Sequence, residues 1–331
     1  MTDQYQPISK RTGAANNTMF GDTTITTFNL YNLFDADKEV QVKINGEWQR
    51  PLLPVQLAKL SLAIQFELRL PEIIAVQEVS SETVLQQLAD RMNEATDTHY
   101  RAISPPTSDR RGIQIGFLYD QQRVELIQSY QLAGDNVDAA FGDKCPNPGR
   151  EPLVGVFRIG NQELTIINNH FKSNHIPEEQ TAQAKQLLKR NLALRAAQAR
   201  VVRDFANRLL EVDSDVLIMV AGDLNTSKRD NSQTNVMDPV KILEGIEKEQ
   251  PLTNLLPLKQ DIFEYTYIWE GENEILDHML VSPALLNKFS GVDGLHFNAA
   301  YPEEMGLDKE TAVRSSDHDP LEARFQFKPH K

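Results

Sequence analysis

VLIMVAGDLN, residues 216–225, is the stretch on which the reading of this chain turns. Its apolar run, 216–221, reads as a strand buried on both faces. Gly222 is then expected to end the strand in a turn, and it delivers Asp223 and Asn225 two positions apart. In extended backbone, residues i and i+2 project to the same face. A carboxylate and a carboxamide are thereby aimed at one point off the end of a rigid strand. That pairing suits a site that holds a hydrated cation or positions a water. GD-x-N also makes ordinary turns, so the stretch gains its force from recurrence.

The same pattern returns along the chain. TTITTFNL puts Asn29 at the end of a β-branched run, and PEIIAVQEV ends its apolar run in Gln77 and Glu78. ELTIINNHFKSN ends in Asn168, Asn169, His170 and Lys172, and EILDHMLVS places Asp277 inside an apolar strand expected over 275–281. SSDHDPLEARFQF presents Asp317 and His318 just before an alternating strand. Ligand sites in α/β proteins favour the ends of core strands.

Glu78, Asp223, Asp277 and Asp317 are hard oxygen donors, with Asn29 and Asn225 as neutral ones; this is the chemistry of Mg²⁺ and phosphoryl transfer. His170 and His318 supply acid–base groups that titrate near neutrality. No Cys/His set has zinc-finger spacing, and GxSxG, P-loop and GxGxxG signatures are absent. Each residue also has a plain structural reading. Asn29 makes turns, Glu78 lies just before a helix start at Ser80–Glu82, His170 fits a core histidine, and Asp317 solubilises a loop. Asp277 is the exception, because a strand disfavours an unpartnered Asp. The ordered set carries the functional reading.

These motifs, TFN, QE, NNH, GDLN, LDH and SDH in that order, resemble those of the endonuclease/exonuclease/phosphatase superfamily over about residues 23 to 328. NLYNLFD, RRGIQIGFLYD and YTYIWEGENEILDHMLVS are most similar to its bacterial nuclease-like branch. The resemblance implies a DNase I-like α/β fold, a four-layer sandwich of two mixed sheets packed face to face with helices outside. It implies a hydrolase that cleaves phosphodiesters with Mg²⁺ or Mn²⁺, with a nuclease as the leading activity. The alternatives are a phosphomonoesterase acting on a small-molecule or lipid head-group phosphate, and an inactive binding module of the same fold. Glu78 would be the principal metal ligand, with Asn29, Asp317, Asp223 and Asn225 around the metal or its waters. His318 would act on the attacking water or the scissile phosphate, oriented by Asp317 or Asp277, and Asp223 is the other candidate to activate the water. His170 would lie near the phosphate or leaving group. Lys172, Arg111 and Arg150 are candidates for phosphate contacts, or simply surface charge.

Composition bounds the rest. The chain has 331 residues, and its formal charge is −13, from 34 Lys and Arg against 47 Asp and Glu. That balance argues against a tight duplex-DNA binder, which carries a basic footprint. Weak, metal-dependent engagement of nucleic acid or a small phosphodiester stays compatible, since bound cations invert the local field. No protein partner can be inferred. No apolar run approaches the ~18 residues of a membrane helix. The polar N-terminus is not a signal peptide, and Cys145 is the only cysteine, so a cytoplasmic protein is expected. Residues 1–22 read as a loose tail and 23–331 as one domain.

Helical periodicity is found over 55–70, 82–94 and 178–211, the last opened by Pro177. In that last helix Leu194, Val201, Phe205 and Leu209 form a core face, and Lys189, Arg195, Arg203 and Arg208 a solvated one. Strands are expected at 24–29, 73–77, 113–119, 152–159, 163–169, 215–221, 275–281 and 320–327. The pair 152–159 and 163–169 is a hairpin around Gly160–Asn161. Two long stretches, 133–152 and 295–316, are read as loops in which substrate choice would reside.

Overall fold

Apolar runs such as 73–76 and 217–221 build two sheets with apolar side chains on both faces. The computed structural model describes residues 23–36, 42–44, 47–49, 52–142, 146–176, 178–226, 236–245, 250–259 and 264–327. The expected tail 1–22, Cys145 and Pro177 lie outside them. The strands are β1 (Thr23–Leu33), β2 (Val42–Ile44), β3 (Glu47–Gln49), β4 (Ile73–Val79), β5 (Tyr100–Ile103), β6 (Gln114–Asp120), β7 (Glu125–Gln131) and β8 (Leu153–Ile159). They continue with β9 (Gln162–His170), β10 (Leu217–Asp223), β11 (Thr253–Asn254), β12 (Tyr267–Trp269), β13 (Glu272–Glu274), β14 (Asp277–Val281), β15 (Phe289–Gly294) and β16 (Leu321–Phe325). The helices are α1 (Leu53–Leu62), α2 (Glu82–Ala95), α3 (Asp135–Phe141), α4 (Ala184–Val212), α5 (Pro239–Glu244) and α6 (Pro283–Leu286).

One six-stranded sheet has the order β15-β16-β1-β4-β6-β5 and the other β11-β14-β10-β9-β8-β7. Both are mixed: β1 runs parallel to β4 and β9 parallel to β10, while β16 and β14 are antiparallel neighbours. Alternation assigns each residue to a layer. Ile73 and Ala75 of β4 meet Ile166, Met219 and Met279 between the sheets. Ile74 and Val76 point the other way, onto Leu60, Leu85 and Leu88 of α1 and α2. On the far side, Ile167, Ile218 and Val220 pack on Leu194, Val202 and Ala206 of α4. The expected four layers are therefore present: helices, sheet, sheet, helices. Polar side chains also cross between the sheets. Gln77 of β4 donates to Asn168 Oδ1 of β9 at 2.7 Å, and Asn168 donates to the carbonyls of Val76 and Gly116 at 3.0 and 2.8 Å. Buried amides bonded across the gap fix the register of one sheet on the other.

Several expectations need correction. The 55–70 helix is α only to Leu62; a π-helical turn, Ala63–Glu67, follows, and Arg69 and Leu70 take positive φ before Pro71. Helix 178–211 opens with a 3₁₀ turn, Glu178–Gln183. Arg195 and Arg203 are not on a solvated face. Both are buried: Arg195 donates to the Lys172 carbonyl at 2.9 Å, and Arg203 to the Leu243 carbonyl at 3.0 Å. Helical periodicity marks a face but does not say which loops will fold over it. Only Lys189 and Arg208 remain exposed. The stretch 133–152 contains α3, and among the described residues no helix is long and apolar enough to cross a membrane.

Candidate active site

The two parallel pairs, β1 with β4 and β9 with β10, bring their C-terminal ends to one mouth of the sandwich. Register does most of the assembly: Asn29 pairs with Gln77, while Asp223 pairs with His170 on one side and Asp277 on the other. Two sequence readings change here. The strand does not turn at Gly222; β10 runs through it to Asp223. Gly222 has φ +130°, and a β-carbon there would collide with the Asn169 carbonyl on β9. Glycine thus permits close backbone approach inside the sheet. Asp223 and Asn225 do not share a strand face either. Asn225 takes φ +50°, and its N–H donates to Asp223 Oδ1 at 2.9 Å, a local turn that draws the two together. Asp277 opens β14 rather than lying inside it.

Glu78 has φ +61° at an irregularity in β4, which turns its side chain out of the ladder. Glu78 Oε2 accepts from the Asn32 N–H at 3.0 Å, and Oε1 lies 3.8 Å from His170 Nε2. Asn29 Nδ2 donates to Asp223 Oδ2 at 3.1 Å, and its Oδ1 accepts from the Tyr31 N–H at 2.9 Å. Asn225 donates to the Phe171 carbonyl at 3.2 Å. Asp223 Oδ2 faces both histidines, 3.6 Å from His170 Nε2 and 3.9 Å from His318 Nε2.

His318 Nδ1 lies 2.7 Å from Asp277 Oδ2, and the Tyr267 ring packs on its imidazole with centroids 4.8 Å apart. Asp277, not Asp317, is therefore the carboxylate that holds this ring. Burial disfavours the charged imidazole, but Asp277, Asp223 and Asp317 outweigh it and hold the pKa well above the ordinary value. His170 is the reverse. Burial and then the charges of Arg150 and Arg111 hold it well below, and its Nε2 lies 2.8 Å from Arg150 Nη1. A guanidinium only donates, so this Nε2 is an acceptor and the ring is neutral.

Burial is the main cause raising Asp223 to about 7 and Asp317 to about 6; the charge of Glu78 adds to both, and His318 opposes. Carboxylates so crowded fit a hard divalent cation, as does a donor set made of oxygens. Ligand atoms of Asp223, Asp277 and His318 lie within 4.8 Å of one another. The short Asp277–His318 bond already engages two of these groups, which leaves Glu78, Asp223 and Asp317 as the carboxylates not clamped to a histidine Nδ1.

Arg150 is buried beside His170, with Asp109 Oδ2 3.7 Å from its Nε. Lys172 is half-buried, and burial, Arg150 and Arg111 lower its pKa to about 8. Arg111 is exposed and acts on these groups through charge alone.

The sequence reading missed the residues that position the others. Thr266 Oγ1 accepts from the N–H of Leu276 and of Asp277 at 3.0 and 3.1 Å, and its carbonyl accepts from the Asp319 N–H at 2.7 Å. Asn298 donates to the His318 carbonyl at 2.8 Å. Asp319 Oδ1 accepts from the N–H groups of Phe297, Asn298 and Ala299 at 3.2, 2.8 and 3.1 Å. Asp319 stands in SDHDP and Thr266 in YTY, so position beside a motif was the available signal; Asn298 had none.

Solved structures with this fold include humanized D. rerio TDP2, with 15% identity and a TM-score of 0.56, covering 93% of this chain and 100% of that one. A Bacteroides thetaiotaomicron mannosyl-6-phosphatase has 16% identity and a TM-score of 0.55, covering 92% and 100%. The human Nocturnin catalytic domain with bound sulfate has 13% identity and a TM-score of 0.57, covering 94% and 96%. No curated protein sequence matches the chain. The family model for the Endonuclease/Exonuclease/phosphatase family matches residues 24–303, and the chain belongs to that family.

Proposed function

We propose that the chain is a divalent-metal-dependent phosphodiester hydrolase, with nucleic acid or a small phosphodiester as substrate. The observation that carries the reading is the paired geometry at Asp223: a charged His318 on one side, clamped by Asp277 at 2.7 Å, and the Arg150–His170 pair on the other. Glu78 and Asp317 would hold the cation, Mg²⁺ or Mn²⁺, with Asp223 and Asn29 beside it. The cation, when bound, neutralises phosphate charge and lowers the pKa of water. Asn29 and the Asn225 N–H fix the Asp223 carboxylate. Asp223 then takes the proton of an attacking water, because His318 is already protonated. The His318 Nε2–H donates to a phosphoryl oxygen as charge grows there. As the water oxygen bonds to phosphorus the P–O bond to the leaving group breaks; Arg150 and Lys172 supply fixed positive charge opposite for the remaining oxygens and for the departing alkoxide, which takes its proton from solvent.

The three cations Arg111, Arg150 and Lys172 also suit a terminal, dianionic phosphate, which supports phosphomonoester hydrolysis as a second reading; one neighbour in fold is a mannosyl-6-phosphatase. The test is a panel of single- and double-stranded DNA, RNA, an aryl phosphodiester and sugar phosphates, with Mg²⁺, Mn²⁺ or EDTA. Metal-dependent cleavage of diesters is expected. Release of phosphate from monoesters alone selects the second reading, and no hydrolysis in any lane refutes both.

A further inference from the structure

The loop that ends in His318 is wound around a buried ammonium. Lys59 of α1 is 1% exposed, and its Nζ donates to four backbone carbonyls: Val313 at 2.6 Å, Asp308 at 2.8 Å, Met305 at 2.9 Å and Thr311 at 3.0 Å. Among the described residues no carboxylate lies within ion-pair distance of it; Asp308 acts on it only through longer-range charge. Burying an ammonium is costly, and burial lowers the Lys59 pKa to about 8. The cost is offset by carbonyl dipoles drawn from one short stretch, 305–313. An ammonium has three N–H donors, so four convergent carbonyls respond to its charge as well as to its hydrogens.

That stretch runs directly into Arg314, Ser315, Ser316, Asp317 and His318. Arg314 takes φ +59°, and Ser316 Oγ donates to the Asn29 carbonyl at 2.7 Å. The His318 N–H in turn donates to Ser316 Oγ at 3.1 Å. One turn before Lys59, Gln56 donates to the Tyr31 carbonyl at 3.2 Å. Positions i and i+3 share a helix face, so one face of α1 braces both the bend after Asn29 and the loop before His318.

We infer that Lys59 is a positioning residue of the active site, whose ammonium gathers the 305–313 carbonyls and thereby fixes the loop that presents Ser316, Asp317 and His318. The inference rests on the proposed hydrolase only for its turnover readout; the cage is tested separately.

Lys59→Ala leaves four carbonyls around a space that ammonium or K⁺ can refill, as carbonyl rings bind such ions elsewhere. Lys59→Met keeps most of the volume and removes the charge. Hydrogen exchange is measured on wild type and both variants in ammonium chloride and in tetramethylammonium chloride at equal ionic strength. Amides of 303–318 are expected to exchange about tenfold or more faster in both variants, with β4, β9 and β10 unchanged. Ammonium should reverse the rise in Lys59→Ala and not in Lys59→Met. Tetramethylammonium, which is larger and has no N–H, should reverse neither. Turnover of a diester substrate should fall about 10²-fold with KM held, as for a misplaced catalytic group, and recover in part with ammonium in Lys59→Ala. Unchanged exchange over 303–318, a rise spread evenly over the chain, or equal effects of the two salts overturns the inference. If the wild type hydrolyses no phosphoester, the functional reading fails, and the exchange data still decide the role of Lys59.

Discussion

His170 and His318 are both buried, and each points Nε2 at the same carboxylate oxygen of Asp223, at 3.6 and 3.9 Å. Burial disfavours a charged ring in both. What differs is the partner bonded to each ring. His318 has Asp277 on Nδ1 at 2.7 Å and is held protonated; His170 has Arg150 on Nε2 at 2.8 Å and is held neutral. The same side chain therefore becomes a charged donor on one wall of the cleft and an uncharged acceptor on the other. The comparison teaches that the identity of a histidine's partner assigns its role, and that a motif naming both residues leaves that role open. A phosphate bound between the walls, as the proposed activity requires, would meet the imidazolium from one side and the guanidinium from the other.

The largest effect should come from removing the charged ring. His318→Ala is expected to cut kcat about 10³-fold, with the fold and the metal-dependent rise in melting temperature retained. His170→Ala should cost less, because Arg150 remains to face the substrate. Steady-state kinetics at saturating Mg²⁺ measure both. Equal losses would break the asymmetry between the two walls.

Asp277→Asn comes next, with an expected loss of about 10²-fold in turnover. Asn keeps the volume but cannot stabilise an imidazolium. The His318 pKa should therefore fall, and the limb of the pH–rate profile that belongs to this ring should move to lower pH. Half-maximal Mg²⁺ concentration should stay as in wild type. A wild-type profile with weakened Mg²⁺ dependence would instead make Asp277 a metal ligand and leave the ring to another partner.

The strands that carry this site were legible because burial on both faces writes continuous apolar runs, as in 73–76 and 217–221. The polar residues at their ends stood out against those runs. The edge strand β7 was not legible, since its half-exposed residues lack strong alternation. Nor were the supports. Lys59, Arg195 and Arg203 are cations on helices, and sequence periodicity assigns such residues to solvent. Each donates to main-chain carbonyls outside its own helix, which carry no side-chain signature. Asn298 and Thr266 act through backbone groups for the same reason. Sequence names the groups that do chemistry more readily than the groups that hold them in place.

A smaller effect tests the neutral wall. In Arg150→Gln the strongest charge depressing His170 is gone, so the His170 pKa should rise towards its ordinary value while His318 stays high. Ring resonances followed by NMR through a pH titration report each histidine separately. KM for a diester should rise several-fold with little change in kcat, as expected when a ground-state phosphate contact is removed. If His170 does not move, its neutrality comes from burial alone, and the contrast between the walls reduces to the partner of His318.

The smallest effect concerns a third histidine, outside the cleft, that repeats the His318 arrangement without facing a substrate. His296 Nδ1 lies 3.1 Å from Asp319 Oδ2, its Nε2 lies 3.6 Å from Glu264, and Tyr265 stacks on its ring at 4.1 Å. Burial opposes protonation, but the bonds to Asp319 and Glu264 prevail and raise its pKa to about 9. Lys259 also pairs with Glu264 and, at 3.1 Å, with Asp293, so Glu264 is shared with a second cation. The folded pKa lies above the unfolded value near 6.5. The protonated ring therefore contributes stability that is fully present below that unfolded value and is lost as pH rises through the folded one. The displacement corresponds to about 3 kcal/mol at most, or roughly 4 °C in melting temperature for a chain of this size. The difference in melting temperature between wild type and His296→Gln should be largest at about pH 6 and should vanish by about pH 10. Turnover should respond less than to either cleft histidine, because His296 reaches the site only through Asp319, next to His318. A difference that does not change with pH would show that His296 is held by packing against Tyr265. A loss of turnover as large as in Asp277→Asn would show that the Asp319 anchor, and not the Asp277 clamp, sets the position of the catalytic ring.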